Sequence, residues 1–367
     1  MTKPLVSIII VNWNKVEYLR NCIESLLEST YKSIEIIVVD NGSADGSAEY
    51  LKHLIQTQKN VKAIFNKENL GFAGPSNQGA EIADGELLFL LNNDTIIDRN
   101  CIEEVVIFFN EHPEASVVQP RLMQNEELMD EQGNVLLTNG FLLHFGYNCI
   151  LKPVFKATYP VFSVKGAAFF IRREVYTQIG LFRPEFFAFY EETDFCHRCW
   201  LAGFPVYYMG KAVVMHIGHI TAAQFKKEKP VWIWEKSIYN RFVSLATLLS
   251  AKSLMRIFVP HLLLSLLTAP ILHIKGRKNI AKATISALCS FIKNIRHIQR
   301  QRQCIHKQLD GYSEKQIFDE LGLITRPPKG YLWASAKGNL SEYWKKPQTE
   351  KYINDLIAKL SKNSKHL

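Results

Sequence analysis

Two apolar, β-branched runs, Val6–Val11 and Ile34–Asp40, flank a stretch in which Leu19, Ile23, Leu26 and Leu27 recur at helical spacing. Strands apolar at consecutive positions are buried on both faces, as happens where helices cover both sides of a parallel sheet. The strand–helix–strand unit therefore commits the first part of the chain to an α/β fold. Val61–Phe65 predicts a third strand and Leu87–Leu91 a fourth, and Asn77–Ala83 between them is short and helix-compatible. Further on, the pattern predicts a strand over Ser163–Arg172, helices over Arg173–Ile179 and Glu192–Leu201, and a strand over Val206–His216. From about Glu235 the signal is helical.

In open α/β sheets, ligands bind beyond the carboxyl ends of the strands. Three polar clusters stand at such ends: Asn12–Asn14, Asp40–Ser43 and Asn92–Asp94. A carboxylate such as Asp94 at the open end of a buried strand can hold a hard divalent cation against a diphosphate. The ordinary structural explanation is a turn cap, since Asn and Asp favour turns. Asp40 can accept hydrogen bonds from a base or a ribose, or close an Asx-turn. Glu191, Glu192 and Asp194 precede an apolar helix, which suits a general base. Acids also favour helix N-termini, and Asp194 can pair with Arg198 one turn on. By this division Asp194 is structural, while Glu192 or Glu191 is free to act. His216 ends a strand-like run and is followed by Ile217-Gly218-His219, where a glycine lets backbone approach a phosphate or metal closely. No glycine follows the first strand in Asn12-Trp13-Asn14-Lys15-Val16-Glu17. That argues against a nucleotidyltransferase loop and against a dinucleotide-binding oxidoreductase.

The charge is uneven. The formal net charge is +9, yet from Lys275 onward 19 Lys and Arg face 7 Asp and Glu, about +12, which leaves 25 basic and 28 acidic residues before it. A basic C-terminal quarter points to an anionic partner or to a solvated charged tail. Leu254–Ile274 is strongly apolar but interrupted by Arg256, Pro260, His261, Pro270 and His273. This favours an interfacial or packed helix pair over a membrane span, for which about 20 mainly apolar residues are needed. A dimer contact is the competing use of that segment. Tyr352–Leu360 is amphipathic within a polar, basic terminal stretch. The seven cysteines show no paired spacing, which fits a reduced compartment. Val6–Val11 is too short for a secretory signal, so the expectation is a cytoplasmic protein.

In their order and spacing these motifs resemble family 2 glycosyltransferases. Val6–Asn14 is similar to the family's opening strand and Val39–Ser47 to its second nucleotide-binding turn. Asn69-Leu70-Gly71-Phe72-Ala73-Gly74 with Asn77-Gln78-Gly79 resembles a segment of the rhamnosyltransferase-like branch. Asn92-Asn93-Asp94 sits where the family carries its metal motif. Gly166–Arg173, Glu191–Asp194 and His216–His219 resemble the acceptor-side strand, the catalytic motif and the closing His segment.

The resemblance covers about residues 4–225. It implies a GT-A (Rossmann-like) nucleotide-sugar-binding sheet over 1–225; beyond it, the apolar and charge patterns predict a helical, membrane-associating region over 226–305 and a basic tail over 306–367. The resemblance further implies an inverting transfer from a nucleoside-diphosphate sugar with Mn2+ or Mg2+. Val11, Asn12, Asp40, Gly71, Asn77, Asn92 and Asn93 would bind the donor, with Asp40 on the base. Asp94 and His216 would serve the metal, and Glu192, flanked by Glu191, would be the catalytic base. The branch suggests rhamnose as the sugar. A glycan or lipid-linked acceptor and an anionic membrane surface are the implied partners, rather than nucleic acid. The family's usual Asp is replaced by Asn92 at the first metal-motif position and by Glu192 at the base. Pro75-Ser76 stands for a Gly-Asn pair, and Arg183 where Asp is common. The thin metal motif leaves a catalytically inactive binding module as the alternative.

Overall fold

The computed structural model describes residues 3–217, 230–309, 311–331, 342, 343, 346–363 and 367. The expected alternation is present: β1 (Val6–Asn12), α1 (Val16–Leu27), β2 (Ile34–Asp40), α2 (Ser47–Thr57), β3 (Val61–Phe65), α3 (Ala73–Glu81) and β4 (Leu87–Asn92). The helix expected over Asn77–Ala83 begins four residues earlier, at Ala73. Then follow β5 (Thr95–Ile97), α4 (Cys101–Glu111), β6 (Val117–Met123), β7 (Asn134–Leu137), β8 (Leu142–His144), β9 (Thr158–Pro160) and β10 (Ala168–Arg172). Next come α5 (Arg173–Ile179), α6 (Glu191–Leu201) and β11 (Val206–His216).

The main sheet has the order β3-β2-β1-β4-β10-β6-β11-β5, with β9 also on β11. β3, β2, β1 and β4 run parallel, and β10 enters antiparallel between β4 and β6. Alternate residues of the parallel strands feed two apolar clusters. Ile8, Ile10, Val38 and Phe89 go to one face, Ile9, Ile37 and Leu90 to the other. Both faces are dry, which explains why these strands read as unbroken apolar runs.

The strand expected over Ser163–Arg172 is shorter, beginning at Ala168. Its first part leaves the ladder because Lys165 donates its backbone N–H to the buried side chain of Gln119 (2.7 Å), and Ser163 instead bridges to Asn134.

The C-terminal region is helical: α7 (Val231–Leu248), α8 (Ala251–Ile274), α9 (Lys278–Lys293) and α10 (Ile295–Gln308). The expected helix pair over Leu254–Ile274 is one continuous helix. A π-turn at Leu254–Phe258 absorbs the approach to Pro260, and Pro270 lies inside the helix. Ile257, His261, Ser265 and Ala269 form its inward stripe. By length and composition α8 is also able to cross a membrane. A short β12 (Ile324–Thr325) pairs with β7. The amphipathic Tyr352–Leu360 lies within α11 (Pro347–Asn363), where Ile353, Leu356, Ile357 and Leu360 are buried in the same cluster as Phe242 and Phe291.

Candidate active site

The three strand-end clusters meet. β1 and β2 pair in register up to Asn12 and Asp40, so these two side chains emerge side by side at the carboxyl edge. Asn12 Nδ2 donates to Asp40 Oδ1 (3.1 Å) and to Ser43 Oγ (3.2 Å). Asp40 Oδ2 accepts the Ser43 N–H (3.1 Å), so the Asx-turn reading of Asp40 holds as geometry. Asn93 Nδ2 donates to Asn12 Oδ1 (2.7 Å), which ties in the end of β4. Val11 is half-buried one residue before, and Asn92 ends β4. Asn14 and Lys15, at the mouth of this net, both adopt positive φ. For non-glycine residues that strained conformation concentrates at functional sites.

A second layer surrounds the net. Asn41 donates to Asn69 Oδ1 (2.9 Å) and to the Gly71 carbonyl (2.7 Å). Gly71 is required by space and by φ: a Cβ there would stand 2.0 Å from the Phe187 carbonyl oxygen. Asn77 is not joined to the strand-end net. Its amide donates to the Phe182 carbonyl (2.9 Å) and accepts the Phe182 N–H (3.0 Å), fixing the approach to α6.

Asp94 and His216 are brought together, because β11 pairs with β5 directly after the Asn93-Asp94 turn. His216 Nε2 lies 3.4 Å from Asp94 Oδ1, and His216 Nδ1 lies 2.7 Å from Asp130 Oδ2. Burial opposes charge on the imidazole, but the two carboxylates prevail and raise it to about 9. Burial pushes the Asp94 carboxyl up, but His216, with Lys15 and a backbone N–H, together hold it below its ordinary value. Gly218 and His219 lie outside the described residues.

Among the described residues, no three His, Cys, Asp or Glu side chains converge as a self-sufficient metal cage. Asp94 Oδ1, however, is buried and accepts no hydrogen bond, and it faces the imidazole nitrogen. One carboxylate plus one imidazole fits a divalent cation whose other positions are filled by diphosphate oxygens and water. The Asp130 carboxylate on the far nitrogen is the support a ligating histidine ordinarily has.

Across the cleft, Phe189 and Tyr190 both take positive φ and turn the chain into α6. The three acids that follow part company. Asp194 is buried and accepts from Arg183 Nε (2.9 Å) and Arg198 Nε (3.0 Å). Glu191 is buried, with an Oε2 that finds no partner, and burial followed by the Glu192 charge raises its carboxyl far above the usual range. Glu192 is half-buried, lying against the bare Cα of Gly166. Burial raises its carboxyl too, while Lys165 pulls it back.

Sequence reasoning missed Asp130, which pairs with His216, and Glu131, His144 and Lys165, which form an ion-pair cluster whose charges act on Glu192. The only signal was the acidic pair Asp130-Glu131 followed by Gln132-Gly133, in a stretch of mixed pattern. A separate cavity of about 560 Å3 lies behind α6, lined by Arg183, Arg198 and the Arg300 side of α10. Its lining includes none of Asn12, Asp40, Asp94, Glu192 or His216.

A family profile described as Glycosyl transferase family 2 matches residues 7–180. An uncharacterized glycosyltransferase of Haemophilus influenzae is 34% identical over 111 residues, 30% of this chain and 34% of that protein. The low-salt glycan biosynthesis hexosyltransferase Agl10 of Haloferax volcanii is 27% identical over 263 residues, 69% of this chain and 78% of that one. The chain spans about a third of the length of the first curated relatives it matches. Staphylococcus aureus TarS 1-349 in complex with UDP-GlcNAc superposes with a TM-score of 0.53 at 16% identity, covering 83% of this chain and 87% of that one. GalNAc-T7 with UDP, GalNAc and Mn2+ gives 0.53 at 16% identity, covering 67% and 48%. These two likenesses establish the GT-A fold. With that fold beneath the joined strand ends, the family likeness is that of residues 7–180 to glycosyl transferase family 2.

Proposed function

We propose that the protein is an inverting sugar transferase that moves a glycosyl group from a nucleoside-diphosphate donor to a hydroxyl of a glycan or lipid-linked acceptor. The observation that carries this reading is the joining of three strand ends through Asn93, Asn12 and Asp40, with Asp94–His216 beside them and Glu192 across the cleft. The nucleoside would lie over Asn12 and Asp40, at the edge where such sheets bind nucleotides. Asp40 has spent hydrogen-bonding capacity on Asn12 and Ser43, so its remaining lone pairs would meet the base or ribose. Gly71, Asn92 and Val11 would shape the pocket, and Asn77 would act on it through the Phe182 backbone that leads to α6.

The chemistry is a single displacement. The acceptor oxygen bonds to the anomeric carbon and its proton passes to the Glu192 carboxylate. The carbon–oxygen bond to the diphosphate breaks, and its electron pair leaves with the nucleoside diphosphate. Glu192 is favoured over Glu191 because it is the more accessible of the two and faces Lys165 across Gly166. A Mn2+ or Mg2+ ion held by Asp94 and His216 would supply positive charge where the diphosphate gains negative charge. GalNAc-T7 has been crystallised with UDP and Mn2+, and TarS with UDP-GlcNAc, which supports a nucleotide-sugar donor and a divalent metal here. Purified chain should be assayed against a panel of nucleoside-diphosphate sugars, dTDP-rhamnose and UDP-hexoses first, with and without each metal. Turnover or binding of one donor is expected. Binding of none would overturn the reading, and binding without turnover for any acceptor would favour the inactive module.

A further inference from the structure

Asp130 and Glu131 are adjacent and buried, yet they serve opposite sides of the cleft. Asp130 holds His216. Glu131 Oε2 lies 2.8 Å from His144 Nδ1 and 3.6 Å from Lys165 Nζ. Buried Gln119 fixes this arrangement from beneath: its Nε2 donates to the Glu131 carbonyl (2.7 Å) and its Oε1 accepts the Lys165 N–H (2.7 Å). Lys165 immediately precedes Gly166, against which the Glu192 side chain lies. Lys165 thus adjoins the glycine against which the proposed base lies and its charge acts on that carboxyl, but among the described residues its ion pair is made with Glu131. This matters chemically, because a carboxylate closed onto an ammonium is a weaker base and has lost lone pairs to it.

We propose that Glu131 is a positioning residue for the transfer: by anchoring Lys165 together with His144, it keeps the ammonium from closing onto Glu192 and leaves that carboxylate free for the acceptor hydroxyl. The proposal rests on Glu192 being the base. The groups facing Glu192 are Lys165 and His144 on the cationic side, and Glu131, Glu191 and Tyr190 on the other. Burial raises the Glu192 carboxyl, Lys165 lowers it and Glu131 raises it, so loss of Glu131 alone leaves the cation unopposed.

The test uses the full chain carrying E131Q, K165M or both. The readouts are kcat, acceptor KM, the pH profile of kcat/KM, and calorimetric binding of the nucleoside diphosphate. E131Q should lower kcat at least about tenfold and move the acid limb to lower pH, with nucleoside-diphosphate affinity within about twofold of wild type. K165M alone should move the acid limb to higher pH. The double variant should recover most of the kcat lost in E131Q, a rescue that a merely structural role of Glu131 would not give. A double variant no better than E131Q, or an acid limb unmoved in K165M, overturns the proposal. If E131Q fails to fold, the K165M profile decides. Wild-type turnover by Glu192→Gln would instead overturn the base assignment on which the proposal rests.

Discussion

Glu191, Glu192 and Asp194 are chemically alike, and their surroundings separate them. Asp194 is paired through Oδ2 with two guanidinium groups, Glu191 is buried at the helix start, and Glu192 is the more exposed of the two glutamates. Glu192→Gln keeps the shape and removes the basicity. It should lower kcat by roughly 10²–10⁴-fold while leaving donor affinity nearly intact. Glu191→Gln should cost far less, and the reverse ranking would move the base by one residue. Because burial raises the Glu192 carboxyl, and a base acts only when ionised, activity should fall on the acid side at a pH above the ordinary carboxylate range. An acid limb at or below about pH 4.3 would contradict that sign. Asp94→Ala should nearly abolish transfer, Asn92→Ala should be milder, and EDTA should inactivate the wild type; full activity in EDTA would remove the metal from the scheme. At this scale the strand-end residues were legible because a buried strand must stop where polar side chains begin. Asp130 and Lys165 were not, because each meets the cleft through tertiary contacts across 86 and 27 positions, His216 for one and Glu192 for the other, and no local period marks them.

Among the elements, α6 is where packing and chemistry meet. Its first turn carries Glu192, the proposed base, and its register is held by Asp194. That carboxylate takes Arg198 from its own helix and Arg183 from the preceding loop, while Arg183 also donates to Thr247 Oγ1 of α7 (2.7 Å). The pairing of Asp194 with Arg198 was predictable from their four-residue spacing. The role of Arg183 was not, since α7 lies 64 residues away. Arg183, standing where the family commonly has Asp, links Asp194 of α6 to Thr247 of the C-terminal helices. Removing one member of a buried charge pair leaves the others unpaired at a cost of about 3–5 kcal/mol. Asp194→Asn is therefore expected to lower the thermal unfolding midpoint by many degrees in calorimetry. Donor affinity, measured well below that midpoint, should change little. An Asp194→Asn protein as stable as wild type but inactive would place Asp194 in the chemistry instead. Elements whose cores are strands and periodic helices were legible from sequence. α8 is one helix rather than the expected pair because its prolines are accommodated by a π-turn and by exposure instead of a break.

Taken as a whole, the molecule is asymmetric in both charge and apolar exposure. The inward stripe of α8 packs on the protein, while Leu263, Leu267 (69% exposed), Ile271 and Ile274 (84% exposed) face outward, and the adjoining α9 adds Ile285 and Ile292. Exposed Lys252, Arg256, Lys278, Lys282 and Lys293 lie along the same two helices, the last three within the strongly basic quarter. Apolar side chains flanked by cations suit an anionic lipid surface, where each Lys or Arg contributes on the order of 1 kcal/mol and salt screens it. Such docking would bring a lipid-linked acceptor to the same surface as the enzyme. The competing use of the stripe is a contact between two copies of the chain. Deleting the helices is a poor test, because α7 supplies Thr247 to the Arg183 clamp and Phe242 to the core. Substituting Leu263, Leu267 and Ile271 by Gln leaves the inward stripe intact. In flotation with vesicles containing anionic lipid, the wild type should bind, bind less as salt rises, and bind neutral vesicles weakly. The triple variant should lose most of that binding and retain its activity on a soluble acceptor. Vesicle binding indifferent to lipid charge, together with a salt-insensitive dimer in solution that the triple variant dissociates, would assign the exposed stripe to self-association.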